Sequence, residues 1–322
     1  MKGICGRELR IITHKEMSIV DFIINNFIDS AYCIGYRTEG KNFWEEKVSY
    51  FNILKPGLRY WYADPIPVSI MGIDYVFVEK YDRIRQIGFI GVSEVKNGKI
   101  KRPKTIIKRK THMSFPVITS YKGDYYMFPE SSETMSIEIY KMCNDPYHWE
   151  HYYSFNMNEK IVDIAIKEKE DTFLLLAGII DKDPLYVKRQ IIEIKNLDES
   201  DKITFNIGYT DKEPSLKVRN GGNFQKDYRI VQESTKSDYG LYLRLNKIIV
   251  FNRDEIVEEY CAQKTVSDIN IDLSRSRYRK IGIHTYGKCN SNLEVIDVAV
   301  TQLSIYPLLR RWRKRCKQIM HR

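Results

Sequence analysis

One hairpin phrase recurs along this chain at a spacing of roughly 50 to 60 residues, a periodicity that few folds can accommodate. Its first copy, Arg59 to Glu79, reads RYWYADPIPVSIMGIDYVFVE. Asp64 stands at the head of a first strand, before Pro65. Gly72, Ile73 and Asp74 supply a polar turn, and an aromatic second strand ends on Glu79. Such a hairpin presents an acid at each open end, at one edge of a sheet. Ser114 to Glu130 (SFPVITSYKGDYYMFPE) repeats the X-Pro start, the turn, the aromatic strand and the terminal glutamate. Ile161 to Gly178 is a third copy with Asp163 in the place of Asp64, Arg219 to Gln232 a fourth, and Gly282 to Val298 a degenerate fifth. The copies begin at Asp64, Pro116, Asp163, Gly222 and His284. Repeats of this length, each with several short strands, predict an all-β, five-bladed β-propeller.

A closed propeller is one cooperative body, so the 322 residues are expected to form one main domain rather than two. The 23 tyrosines suit short aromatic strands better than a helical bundle. Cys5, Cys33, Cys143, Cys261, Cys289 and Cys316 lie far apart with no CxxC pair, which predicts reduced thiols, no metal site and no disulfide framework. The start of the chain lacks the apolar core of a signal peptide, and no stretch approaches the ~20 apolar residues of a membrane span, so a cytoplasmic protein is expected. Of the net charge of +10, seven cations fall between Arg310 and Arg322, and the remainder carries +3. Basicity is therefore a tail property.

Residues 1–30 contain an amphipathic helical pattern, with Met17, Ile19, Val20, Phe22, Ile23, Ile24, Phe27 and Ile28 on helical spacing. Ser30 to Arg37 reads as a strand able to complete the last blade and close the ring. The propeller is expected over 31–304, with blades over about 60–107, 112–158, 161–209, 215–251 and the remainder. Val266 to Lys280 reads as a surface excursion. The tail, 305–322, has Leu308, Leu309, Trp312, Cys316, Ile319 and Met320 among its cations, the pattern of a basic amphipathic helix lying on an anionic membrane. A solvated tail and nucleic-acid binding are the alternatives, and no stacking platform beside a broad basic groove favours nucleic acid.

The motifs WYADPIPV, YVFVE, HMSFPVI, DYYMFPES, IVDIAI, RNGGNF, YRIVQ, YGLYL and the late GIHT with VID occur in that order. Over about residues 31–300 the chain resembles the N-terminal domain of plant glucosamine inositolphosphorylceramide transferase and its bacterial relatives, a branch of the five-bladed furanosidase superfamily that includes glycoside hydrolase families 43 and 62. The resemblance implies a general base at Asp64 and a pKa-tuning aspartate at Asp163. The later-blade glutamate that serves as general acid in furanosidases does not carry over, because blade four opens on Arg219, Asn220, Gly221 and Gly222. Glu79 and Glu130 belong to the transferase-like branch.

Hydrolysis requires an acid for a poor leaving group, whereas a phosphate leaves unprotonated if cations hold it. The missing acid and the new Arg219 therefore predict a glycosyltransferase. It would move a sugar from a nucleotide-sugar donor to a lipid-linked saccharide or glycolipid acceptor, without a cofactor, on the inner face of the cell membrane. A furanoside hydrolase using Glu130 or Glu79 as acid, and a non-catalytic sugar-binding propeller, are the alternatives. The candidate catalytic residues are Asp64, Glu79, Glu130 and Asp163. The candidate substrate-binding residues are Arg219, Arg229, His112, His284, Gly222 and Gln232. Each has a plainer role open to it: a turn former at Asp64, ion pairs at Arg219 and Arg229, packing at the histidines, a tight bend at Gly222.

Overall fold

Five sheets, built mainly of antiparallel pairs, follow one another around a ring, because each copy of the phrase supplies the two innermost strands of a blade. The computed structural model describes residues 27–312 apart from 170, 181, 237–238 and 274–277. Blade one runs from Tyr60–Ile70 through Ile73–Asp82 and Ile87–Lys96 to Lys104–Ile107, with Lys99–Ile100 closing a small outer hairpin. Blade two spans Ser114–Tyr121 to Trp149–Asn156, blade three Lys160–Lys169 to Thr204–Thr210, and blade four Arg219–Asn220 to Ile256–Thr265. The hairpin turns use paired left-handed residues, Met71 and Gly72, Asn97 and Gly98, Lys122 and Gly123, whose twist matches that of the flanking strands.

Blade five is assembled from both ends of the chain. Ile28–Arg37 lies beside Glu294–Leu303, and Ser49–Leu54 pairs with it in turn. This is the ring closure predicted for Ser30 to Arg37, and it removes the exposed edges that an open array would carry. Two boundaries differ from expectation. Blade four extends past residue 251, because the charged strand Ile256–Thr265 forms its solvent-facing edge. Within the expected surface excursion, Ile269–Ile271 pairs parallel to Ser49–Leu54, and its two alternating isoleucines are buried.

The apolar core is divided among the seams between blades. Separate clusters join blades one and two (Phe77, Val92, Met127, Trp149), two and three (Phe128, Ile139, Ile161, Leu175), four and five (Ile230, Leu243, Ile283, Ile296), and five and one (Ile34, Tyr62, Val78, Val295). The seam between three and four is thinner, with Leu174, Leu176 and Ile191 packed by Phe224 and Phe251. Ion pairs reinforce it, with Arg189 holding Asp211 at 2.9 Å and Glu258 at 3.5 Å. The ring core thus needs no apolar axis, and polar groups are free to occupy it.

Residues 30–302 form one compact unit, and the chain up to 29 and from 303 forms another. In the second unit residues 306–312 are helical, and Arg310 Nη2 lies 2.5 Å from Asp29 Oδ1. The helix predicted within residues 1–26 and the tail beyond 312 lie outside the described residues. No helix among the described residues is long and apolar enough to cross a membrane.

Blades four and five meet backbone to backbone at Gly222, which sits at φ +150°, and a Cβ there would lie 2.2 Å from the Tyr286 carbonyl oxygen. Gly222→Ala is therefore expected to cost at least ~2 kcal/mol, combining backbone strain with a contact that neither strand can relieve. Urea denaturation checks this; an unchanged midpoint contradicts it.

Candidate active site

The inner strands of blades one, two and three each carry a bulge at the same place. The pairing register slips between Ala63 and Ile66, between Ser114 and Val117, and between Val162 and Ala165. At each bulge one non-glycine residue is left-handed: Asp64 at φ +49°, Phe115 at +45° and Asp163 at +47°. Asp64 is therefore inside its strand rather than at its head, and Phe115, not Pro116, is its counterpart in blade two. Pro65 and Pro116 fall in the bulges, where a missing N–H costs the ladder nothing.

A bulge frees its N–H from the strand ladder, and each of these finds a carboxylate of the preceding blade. Asp64 N donates to Asp297 Oδ2 at 3.0 Å, Phe115 N to Asp64 Oδ2 at 3.3 Å, and Asp163 N to Glu130 Oε2 at 3.1 Å. Acids of the second strands complete the group: Glu79, which lies three residues before the end of Ile73–Asp82 rather than at it, pairs across from Ala63, and Glu130, the last residue of its strand, across from Ser114. Asp64, Glu79, Glu130 and Asp163 thus lie together at one end of the axis, as the repeat predicts.

Two cations balance part of this charge. His284 sits between two aspartates, with Nε2 3.2 Å from Asp64 Oδ1 and Nδ1 2.7 Å from Asp297 Oδ1. Burial opposes its charge, but Asp297 leads the contributions that lift the imidazole well above its ordinary value, so it is an imidazolium near neutrality. Burial alone would raise the Asp64 carboxyl. The hydrogen bond and charge of His284 outweigh it, with Thr285 Oγ1 donating at 3.0 Å, and hold the carboxyl below its ordinary value. Asp64, His284 and Asp297 also place one potential metal-ligand atom each within 4.8 Å of one another. Both imidazole nitrogens already face carboxylates, an arrangement better suited to an ion triad than to a shared metal. The second cation, Arg219, binds Asp163 through Nε and donates from Nη1 to the Pro184 carbonyl at 3.0 Å, with Tyr239 5.1 Å from the guanidinium.

The glutamates lack such partners and take up protons instead. Burial first, then the charge of Asp163, pushes the half-buried Glu130 up to about 8 against the pull of Arg219. Burial, then Asp64 and Glu130, raises Glu79 well above its ordinary value. His112 stands beside Glu79, its Nε2 3.3 Å from Oε1. The N–H of Gly88 donates to His112 Nδ1 at 3.0 Å, and burial keeps this ring neutral, so its proton sits on Nε2, facing Glu79. A Cβ at Gly88 would lie 2.6 Å from Glu79 Oε1, so only glycine leaves that oxygen room.

The other nominated residues serve the site from behind or not at all. Arg229 is not a substrate contact: it is fully buried inside blade four, its guanidinium holding Glu258 Oε2 at 2.9 Å, Asn220 Oδ1 at 2.8 Å and the Val218 carbonyl at 3.0 Å. Asn220 in turn donates to the carbonyls of Asp163 at 2.6 Å and Leu176 at 2.8 Å, so Arg229 braces the strand that carries Arg219. Gly222 is a packing position. Gln232 is buried across the ladder from Arg219, and its Nε2 has no acceptor among the described residues. Sequence reasoning passed over Asp297, Thr285 and Tyr32, whose ring lies 4.7 Å from that of His284. Asp297 sits in the VID motif and is the signal that was available.

Glu130 supplies a stability test. Its folded-state carboxyl titrates near 8 and an unfolded one near 4.3, so the native state binds the extra proton between those values. Its contribution is fully present below about 4.3, declines as pH rises, and is lost above about 8. Glu130→Gln keeps an acceptor for the Asp163 N–H and abolishes the titration. The variant is expected to gain about 3–4 kcal/mol relative to wild type between pH 5 and pH 8. Urea midpoints at both pH values measure it, and parallel pH curves would contradict it.

Comparison with known proteins places this ring. Residues 60–271 match the family described as glucosamine inositolphosphorylceramide transferase 1, N-terminal. A similar protein is glucosamine inositolphosphorylceramide transferase 1 of Arabidopsis thaliana, 28% identical over 208 residues, which cover 61% of this chain and 26% of that protein. The chain therefore spans about a quarter of that relative's length. Among solved structures, a family 117 glycoside hydrolase of Zobellia galactanivorans aligns over 87% of this chain and 92% of its own, at TM-score 0.47 and 11% identity. The catalytic domain of the Coprinopsis cinerea GH62 α-L-arabinofuranosidase aligns over 86% and 98%, at TM-score 0.45 and 10% identity. With a match across about two thirds of its length, the chain belongs to the family of the N-terminal region of glucosamine inositolphosphorylceramide transferase 1.

Proposed function

We propose that this protein transfers a glycosyl group from a nucleotide-sugar donor to a lipid-linked saccharide or glycolipid, with chemistry at the axial acids. The observation that carries the proposal is the division of those acids into two kinds within one site. Asp64 is held ionised by His284 and Thr285, while the more accessible Glu130 titrates near 8. Neighbouring carboxyls driven apart in this way are suited to different tasks in glycosyl transfer. Asp64 already accepts three donors, so it is a weak proton acceptor, and its charge is suited to steadying an oxocarbenium-like centre. Glu130 is suited to moving a proton at near-neutral pH. Asp163 and Arg219 set its environment rather than react. A diphosphate leaves without a proton, which assigns Glu130 the proton of the acceptor hydroxyl.

The furanoside hydrolase is the second reading, favoured by the same glutamate, since a protonated Glu130 is also a general acid. The two differ in the sign of one limb of the pH–rate profile. As acceptor base, Glu130 gives a rate that rises with pH and levels off near 8. As leaving-group acid it gives a rate that falls above about 8. Nucleotide release from a panel of nucleotide sugars, with and without glycolipid acceptors, and sugar release from aryl furanosides are the assays. Asp64→Asn and Glu130→Gln are each expected to lower turnover at least ~100-fold. Near-normal turnover in a folded Asp64→Asn would remove the catalytic reading.

The family's name contains a sphingolipid, inositolphosphorylceramide, and residues 303–312 expose Leu303, Ile305, Leu308, Leu309 and Trp312 beside Arg310 and Arg311. On this reading the tail holds the enzyme at the inner face of the cell membrane. Each basic residue near such a surface contributes about 1 kcal/mol. Deleting residues 310–322 is expected to release the protein from phosphatidylserine-containing vesicles in a flotation assay and to leave the propeller's thermal transition in place. Undiminished flotation contradicts the assignment.

A further inference from the structure

We propose that a basic cleft on blade one is the subsite for the diphosphate of the donor. The proposal rests on the transfer reading above and moves the phosphates away from Arg219, where the sequence placed them. The cleft has a volume of about 590 Å³ and is lined by Arg85, Ile87, Phe89, Lys108, Arg109 and Lys110.

Its charge is largely unspent. Lys108 and Lys110 are exposed and have no acidic partner among the described residues; Lys108 Nζ lies over the Phe89 ring at 5.4 Å. Arg109 Nη1 is 3.0 Å from Glu138, an acid that also meets His151 at 3.0 Å. Arg85 Nε is 4.0 Å from Asp82, whose carboxylate Arg59 holds at 2.7 Å. Arg109 and Arg85 thus share their charge with these two acids, while Lys108 and Lys110 face, without an acidic partner among the described residues, a recess large enough for two phosphate groups. Arg219, by contrast, is buried and committed to Asp163 and the Pro184 carbonyl.

Position ties the cleft to the chemistry. Both of its walls are adjacent in sequence to residues of the axial site. One wall contains Ile87 and Phe89, and Gly88 between them touches His112 and makes room for Glu79 Oε1. The other wall, Lys108 to Lys110, continues two residues on to His112, beside Glu79. Lys110 lies two residues before His112, across a bend at residues 110 and 111, so one short segment of chain joins the cleft to the acids. The cluster concentrates the field at one side of the acids, where an anionic leaving group would gain its charge, and lysine and arginine are the residues that hold phosphate oxygens.

Calorimetric titration of the full chain with UDP, GDP, CDP and ADP at two salt concentrations tests this without turnover. Wild type should bind at least one of them, more weakly at higher salt. Lys108→Glu/Lys110→Glu should weaken that binding ~100-fold, and Lys108→Gln/Lys110→Gln about tenfold, as expected for losing two charge-assisted contacts. Both pairs are at the surface, so the thermal transition should stay unchanged. Inorganic pyrophosphate should compete in wild type. Binding undiminished in either double variant, or no nucleoside diphosphate bound by wild type, overturns the proposal. So does a double variant that loses phosphatidylserine vesicles but keeps nucleotide, because the cleft would then serve a lipid headgroup. Failure of the transfer reading is seen separately, as absence of sugar transfer by a wild-type protein that binds nucleotide.

Discussion

The hydrogen bond from a bulged inner strand to a carboxylate of the preceding blade is the contact on which this molecule turns. It occurs at three seams: Asp64 to Asp297, Phe115 to Asp64 and Asp163 to Glu130. A bulge removes an N–H from its ladder, and a buried donor left alone is costly. A carboxylate from the next sheet satisfies it and ties the two blades at the axis. The price is burial of several like charges in one place. Cations offset some of that cost, and protonation of the remaining acids offsets the rest. Closure of the ring and a chemically primed cluster of acids are therefore products of the same residues.

Which acids keep their charge follows from which blade supplies a cation. Blade five contributes His284 to Asp64 and Asp297, and blade four contributes Arg219 to Asp163. Blades one and two carry on their second strands glutamates that receive neutral donors or a neutral histidine. A buried carboxyl without a cation rises; one with a cation falls. The contrast between Asp64, held below its ordinary value, and the raised Glu79 and Glu130 thus follows from the ring order. It also makes Arg229 intelligible: through Asn220 it fixes the strand that presents Arg219, and so acts on the site from inside a blade.

Much of this was legible in the chain. The repeat period, the paired turns, the closing strand at Ser30 to Arg37 and the convergence of Asp64, Glu79, Glu130 and Asp163 all follow from a pattern that a single sequence displays. Three things were not. The bulge was invisible, because a left-handed aspartate leaves the same letters as a strand start; hence the one-residue misalignment of Pro116. Blade five was illegible because its inner strand is cut to Tyr286–Lys288 and its other strands come from both ends of the chain, so Asp297 had no copy to be compared with. Charge partners were the third. Arg219 and Arg229 are both arginines near the start of the fourth copy, and only packing shows that one meets Asp163 and the other Glu258.

Two sources of positive charge lie near the acids, and they differ in kind. Arg219 is buried and fixed by Asp163 and the Pro184 carbonyl; withdrawing it to bind phosphate would break a buried ion pair, a change that costs about 3–5 kcal/mol. Lys108 and Lys110 of blade one are exposed and have no acidic partner among the described residues. On the proposed reading they would receive the diphosphate while the sugar lay against Glu79 and Glu130. A leaving group received on that side needs no proton, which frees Glu130 for the acceptor hydroxyl. The same acids with no phosphate subsite would have to protonate their leaving group, and the ring would then work as a hydrolase. On the proposed reading, the surface charge of blade one, rather than the axial acids, would separate the two chemistries.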